Sequence, residues 1–97
     1  AIMASTNNMV NYKLTISGKV QGVSYRASAR SKASELKLGG FVKNLKNGSV
    51  FAEVEGPEDI VRQFIDWCHY GPPMAKVDKI EIETGEIKGY LNFEIKF

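Results

Sequence analysis

The stretch Gly18-Lys19-Val20-Gln21-Gly22-Val23-Ser24-Tyr25-Arg26 carries residue types and spacings that can do chemistry. It leaves an alternating, strand-like run, passes two glycines and enters a helix-periodic run with an arginine in its first turn. Unpaired backbone N–H groups project from a helix N-terminus, where the macrodipole adds roughly half a positive charge. A tight loop feeding such a terminus is a cradle for an anion. Arg26 would add a permanently charged fork whose geometry matches phosphate oxygens. The same residues also suit a plain strand-to-helix turn, with Ser24 as an N-cap and Arg26 as a solvated helix arginine. The familiar nucleotide loops are missing: there is no Gly-Lys-Ser/Thr ending and no G-x-G-x-x-G.

Cys68 and His69 are the other nucleophile candidates. Adjacent residues near a helix end do not face each other, so Cys68 is expected in the core and His69 at a cap or in solvent. One cysteine excludes an internal disulfide, and with a single histidine it leaves no Cys/His metal site. Phe64 and Trp67 stand at helical spacing and are expected to be core rather than a cofactor platform.

The elements that must position the loop follow from periodicity. Residues 1–9 are polar and aperiodic and are expected to be a disordered start or a leftover of expression, with the domain spanning 10–97. From Val10, residues Val10, Tyr12, Leu14 and Ile16 alternate with polar ones as a half-buried strand that ends at Gly18. Tyr25, Ala29, Ala33 and Leu36 then recur at helical spacing, with Arg30, Lys32 and Glu35 off the stripe, and Gly39-Gly40 is expected to stop the helix. Strands at Gly40–Leu45 and Val50–Glu55 flank Asn47-Gly48, a hairpin signal because both residues tolerate positive φ. Pro57 is expected at the first position of a second helix with Glu58 and Asp59 at its positive end, Ile60, Val61, Phe64, Trp67 and Cys68 on its apolar stripe, and Gly71-Pro72-Pro73 at its stop. Val77–Glu83 and Leu91–Phe97 complete the strands, the latter with Leu91, Phe93, Ile95 and Phe97 inward. This order predicts an α/β (α+β), ferredoxin-like two-layer sandwich: βαββαβ with an additional C-terminal strand, and two helices on one face of an antiparallel sheet.

Ninety-seven residues provide one core and one domain. The apolar runs fall far short of the ~20 residues needed to span a bilayer, and no signal-like opening is visible, so a cytoplasmic protein without a membrane partner is expected. The net charge of +2 hides an asymmetry: residues 1–50 carry eight Lys/Arg and one acid, net +7, whereas residues 51–97 carry five and ten, net −5. An anionic partner for the first half and a merely solvated face both fit this split.

The loop residues also carry a family resemblance. Gly18 to Arg26 resembles the first acylphosphatase signature (Gly-x-Val-Gln-Gly-Val, two variable positions, Arg), with Tyr25 where that family more often has Phe. Gly40-Phe41-Val42-Lys43-Asn44, followed by Gly48-Ser49-Val50 and Gly56, is similar to the second signature, and Gly71 to Val77 resembles the family's Gly-Pro-Pro passage. The resemblance covers residues 10–97. It implies a phosphate site made by Arg26 and the main chain of Gln21, Gly22, Val23, Ser24, Tyr25 and Arg26, with Asn44 holding the attacking water. It further implies hydrolysis of a carboxyl–phosphate anhydride to a carboxylate and inorganic phosphate, without cofactor, metal or phosphoenzyme; a monomer is expected because the sequence has no large apolar stripe left to expose. The chemistry is consistent with these roles, because phosphoryl transfer asks mainly for positioning and charge stabilisation. By position alone, Asn44 suits a turn beside a strand end better than a catalytic role.

Two competing functions remain on the sequence. Sheets of this kind include RNA-binding modules whose aromatics stack bases, and Leu38 to Asn44 distantly matches their aromatic motif. It departs where Lys43-Asn44 follows Phe41-Val42, so no nucleic-acid partner is expected. A non-catalytic accessory domain is the other alternative, and the presence of both Arg26 and Asn44 weighs against it.

Overall fold

Eleven alternating residues form β1 (Met9–Lys19), the longest strand of the computed structural model, which describes residues 8–97. It is followed by α1 (Tyr25–Glu35), β2 (Gly39–Asn44), β3 (Val50–Pro57), α2 (Glu58–Cys68), β4 (Lys76–Thr84) and β5 (Phe93–Ile95). The strands lie in the order β4-β1-β3-β2-β5. β3 therefore sits between β1 and β2, and β1 between β3 and β4, so each helix crosses over a split pair. This is the expected ferredoxin-like closure.

Alternation decides which side chains meet the helices. Leu14 and Ile16 of β1 pair in register with Ala52 and Val50 of β3, and all four are buried. α1 presents Ala29 and Ala33 to this face, side chains small enough for close approach, whereas α2 supplies Val61, Phe64, Ile65 and Cys68. Burying each large apolar side chain contributes about 1.5–3 kcal/mol, and these residues form one contiguous core.

Several boundaries differ from expectation. Residues 1–7 of the anticipated unstructured start lie outside the described residues, but Met9 pairs with Pro57 as the first residue of β1. Pro57 ends β3 with extended φ/ψ and caps α2 rather than entering it. Helix α1 does not stop on Gly39-Gly40, which belong to β2. Its stop is Lys37, at φ 61, with Leu38 N–H donating to Ala33 O at 2.9 Å and Lys37 N–H to Ser34 O at 3.0 Å. Those bonds satisfy the last carbonyls and outweigh the cost of a left-handed lysine. In the hairpin only Gly48, at φ 93, is left-handed, and Asn47 instead accepts from Ser49 N–H through Oδ1 at 3.0 Å.

The C-terminal strand differs most. β5 pairs with β2 in parallel through Gly40, Phe41 and Val42, which makes the sheet mixed rather than antiparallel. β4 and β5 occupy opposite edges, so segment 85–92 must cross the sheet between them. It does so on the face away from the helices and adds β5 with only three residues in register. Phe93 is buried, but Leu91 and Phe97, expected inward, fall beyond the pairing and are fully exposed.

The register of β1 against β4 shifts between Ser17 and Gly18. A side chain at Gly18 would bring Cβ to 2.2 Å from Lys76 O. The irregularity turns the chain out of the sheet just before the loop that leads to α1.

Candidate active site

The loop from Val20 to Ser24 leaves β1 and reaches α1 through two left-handed residues, Gly22 at φ 74 and Ser24 at φ 66. A left-handed non-glycine residue costs about 1–2 kcal/mol, and Ser24 incurs it without the usual compensation, because its side chain makes no capping hydrogen bond. A left-handed residue followed by a helical one turns successive N–H groups toward one point, a concavity suited to anions. The first α1 bond runs from Ser28 N–H to Ser24 O at 3.0 Å. The N–H groups of Ser24, Tyr25, Arg26 and Ala27 therefore meet no backbone acceptor among the described residues.

Beyond these groups lies a cavity of about 300 Å³, lined by Gly22, Ser24, Tyr25, Arg26 and Asn44 together with Val20, Ala27, Ile95 and Phe97. Asn44 is the last paired residue of β2, opposite Val50, and is exposed. The structure thus brings Arg26 and Asn44 to one cavity. Of the expected phosphate-loop residues, Gly22, Ser24, Tyr25 and Arg26 line it, whereas Gln21 and Val23 do not. The Gln21 side chain turns to the β2–β3 hairpin, where Nε2 donates to Leu45 O at 2.7 Å and to Ser49 O at 2.8 Å.

Arg26 is held from the C-terminal side. Its Nη1 donates to Lys96 O at 3.3 Å, and its guanidinium carbon sits 4.9 Å from the centre of the Phe97 ring. This orients the fork while occupying one of its five N–H donors, and the others meet no acceptor among the described residues. The Tyr25 side chain points the other way, into the core. Its ring packs 5.7 Å from that of Trp67, and its hydroxyl donates to Cys68 O at 2.7 Å. Burial pushes the Tyr25 phenol well above its ordinary range and the Cys68 thiol up to about 12, so both stay protonated. His69 caps α2 by its main chain and is exposed. Neither Cys68 nor His69 lines the cavity.

Sequence patterning placed Ile95 and Phe97 inward but did not assign them to the cavity they line. It also missed a polar network on the other face of the sheet. Asn11 Nδ2 donates to Glu53 at 2.9 Å and to Glu55 at 2.8 Å. Glu55 also accepts N–H groups from Lys88, Gly89 and Tyr90, and Glu53 pairs with the Lys88 ammonium. Burial pushes both carboxyls up, but these donors outweigh it and hold both below the usual carboxylate range. No described residues form a cluster of three or more His, Cys, Asp or Glu that could hold a metal.

Comparison with known proteins agrees with this geometry. The acylphosphatase family model matches residues 12–95. The acylphosphatase of Anaeromyxobacter dehalogenans is 45% identical over 89 residues, spanning 91% of this chain and 96% of that one. Among solved structures, the acylphosphatase of Bacillus subtilis superposes with a TM-score of 0.88 at 32% identity, covering 91% of this chain and 99% of the other. That of Coxiella burnetii gives 0.88 at 39% identity, covering 92% and 94%. With an arginine-bearing helix start and a strand-end asparagine on one cavity of a ferredoxin-like sandwich, the chain belongs to the acylphosphatase family. It is therefore an enzyme of the class of hydrolases that act on acid anhydrides. No helix among the described residues is long and apolar enough to cross a membrane.

Proposed function

We propose that this chain hydrolyses the carboxyl–phosphate bond of small acyl phosphates, with Arg26 and the loop main chain holding the phosphate and Asn44 holding the attacking water. The observation that carries the reading is the meeting of Arg26, the start of α1 and Asn44 on one cavity, where the N–H groups of Ser24 to Ala27 have no backbone acceptor among the described residues. The dianionic phosphate lies on the N–H groups at the start of α1, and the Arg26 fork spans two of its oxygens. The water donates one hydrogen bond to the Asn44 amide oxygen, which fixes its lone pair toward phosphorus. As the water oxygen bonds to phosphorus, the bond from phosphorus to the acyl oxygen breaks and its electron pair leaves on the carboxylate. The water proton passes to a phosphate oxygen. A carboxylate is a good leaving group, so the protein needs no strong general acid, and charge on the equatorial oxygens is met by groups already in place.

The test is hydrolysis of benzoyl phosphate in the presence of a chelator by wild type, Arg26→Ala and Asn44→Ala. Turnover by the wild type and its loss in both folded variants is the expected result. An inactive wild type contradicts the reading, and wild-type turnover in either variant contradicts the role given to that residue.

A further inference from the structure

The groups that hold the phosphate and the group that holds the water stand on separate pieces of chain. The cradle is on the loop after β1, and Asn44 ends β2, where the hairpin begins. No strand pairing joins β1 to β2, because β3 lies between them. Among the described residues, one side chain ties loop 20–24 to this hairpin by hydrogen bonds, and it is Gln21. Its two acceptors, Leu45 O and Ser49 O, are the carbonyls that close the hairpin loop. Gly48 N–H also donates to Leu45 O at 3.2 Å, and Leu45 N–H to Ser49 O at 2.8 Å. With two carbonyls facing the amide, only its NH2 side can point at them, so its orientation is fixed and both its hydrogens are used.

We propose that Gln21 is a positioning residue, a brace that sets the water held by Asn44 in line with the phosphorus held on the loop. The inference rests on the roles proposed above for the loop and Asn44. Its sequence neighbour Gly22 lines the cavity on one side, and its acceptor Leu45 follows Asn44 directly on the other. Freed of the brace, the hairpin end moves relative to the loop, and in-line attack tolerates little of that. A misplacement of about 1 Å costs on the order of 100-fold in rate. The phosphate contacts lie on the loop and α1, so phosphate affinity is left in place.

The experiment is a double-mutant cycle on benzoyl phosphate turnover, with inhibition by inorganic phosphate measured alongside. The proteins are wild type, Gln21→Ala, Asn44→Ala and the double variant. Gln21→Met, which keeps the stem and removes both donors, serves as a second probe should the alanine variant fold poorly. Loss of the brace is expected to lower kcat by about 10–100-fold while phosphate inhibition stays within about twofold. In the Asn44→Ala background, where no water is held, the same change is expected to cost almost nothing further. A merely structural role would give equal losses in both backgrounds, and that result overturns the proposal, as does an unchanged kcat in both Gln21 variants. An Asn44→Ala enzyme with wild-type kcat overturns the reading on which the proposal rests. A slow Asn44→Ala beside a fully active Gln21→Ala overturns only the brace.

Discussion

Arg26 carries a charge and also a shape. Its guanidinium is fixed between the Lys96 carbonyl at 3.3 Å and the Phe97 ring at 4.9 Å, leaving a planar fork toward the cavity. A lysine keeps the charge but presents a point donor that cannot grip two oxygens at once. Arg26→Lys is therefore expected to lower kcat/KM by about 100-fold or more, read by steady-state kinetics on an acyl phosphate; near-wild-type values would mean that charge alone suffices. Tyr25 works in the opposite direction, tying the start of α1 to the end of α2 through its hydroxyl on Cys68 O at 2.7 Å. Tyr25→Phe is expected to destabilise the fold by about 1 kcal/mol in thermal or denaturant unfolding, with the cradle retained. At this scale the sequence was informative about residue type and poor about direction. Arg26 and Asn44 were legible because their chemistry and spacing coincide with two signatures. The side chain of Gln21 was not, because an amide serves a phosphate or a carbonyl equally well and only the approach of the hairpin decides which it meets.

Among the elements, segment 85–92 does the most that its sequence conceals. It has no hydrophobic period, yet it carries the chain across the sheet and delivers β5, whose end holds Arg26. What fastens it is the pair Glu53 and Glu55, both almost fully buried. Alternation along β3 assigns these acids to a solvated face, since nothing local reveals that a later segment folds back over them. The folded values of both carboxyls are depressed: burial pushes them up, but the donors from Lys88 to Tyr90 and Asn11 prevail. The stability they contribute is complete above the unfolded carboxyl value of about 4.3. It is lost as pH falls from there through the lower folded values, where the unfolded chain binds protons that the folded one refuses. Unfolding free energy is thus expected to be flat above about pH 5.5 and to drop steeply below about pH 4.5. Glu55→Gln should cost about 1–3 kcal/mol at neutral pH and flatten the acid limb. Chemical denaturation across pH checks this, and an unchanged acid limb would show that the segment is held by other means.

For the molecule as a whole, the fold was legible because the longer core elements announce a buried face by period. Strands 9–19 and 50–57 alternate, α2 carries a full apolar stripe, and helix and strand follow in an order that closes in one way. The direction of β5 was not, since three paired residues at an edge leave no pattern of their own. The charge split of +7 and −5 gains a structural meaning, because the end of β1, the start of α1 and the β2–β3 hairpin belong to the basic half and carry Lys19, Arg26 and Lys46. Approach of a dianionic substrate should gain from this field, so kcat/KM is expected to fall as salt is raised from about 10 to 200 mM with kcat little changed. A salt-independent kcat/KM would deny the steering. The division of labour between Arg26 and Asn44 is tested most directly by titrating inorganic phosphate into wild type, Arg26→Ala and Asn44→Ala and comparing affinity with kcat. Arg26→Ala is predicted to lose phosphate binding and turnover together, whereas Asn44→Ala is predicted to bind phosphate as the wild type does and to turn over at only a small residual rate. Undiminished phosphate affinity in Arg26→Ala, or undiminished turnover in Asn44→Ala, would contradict the account.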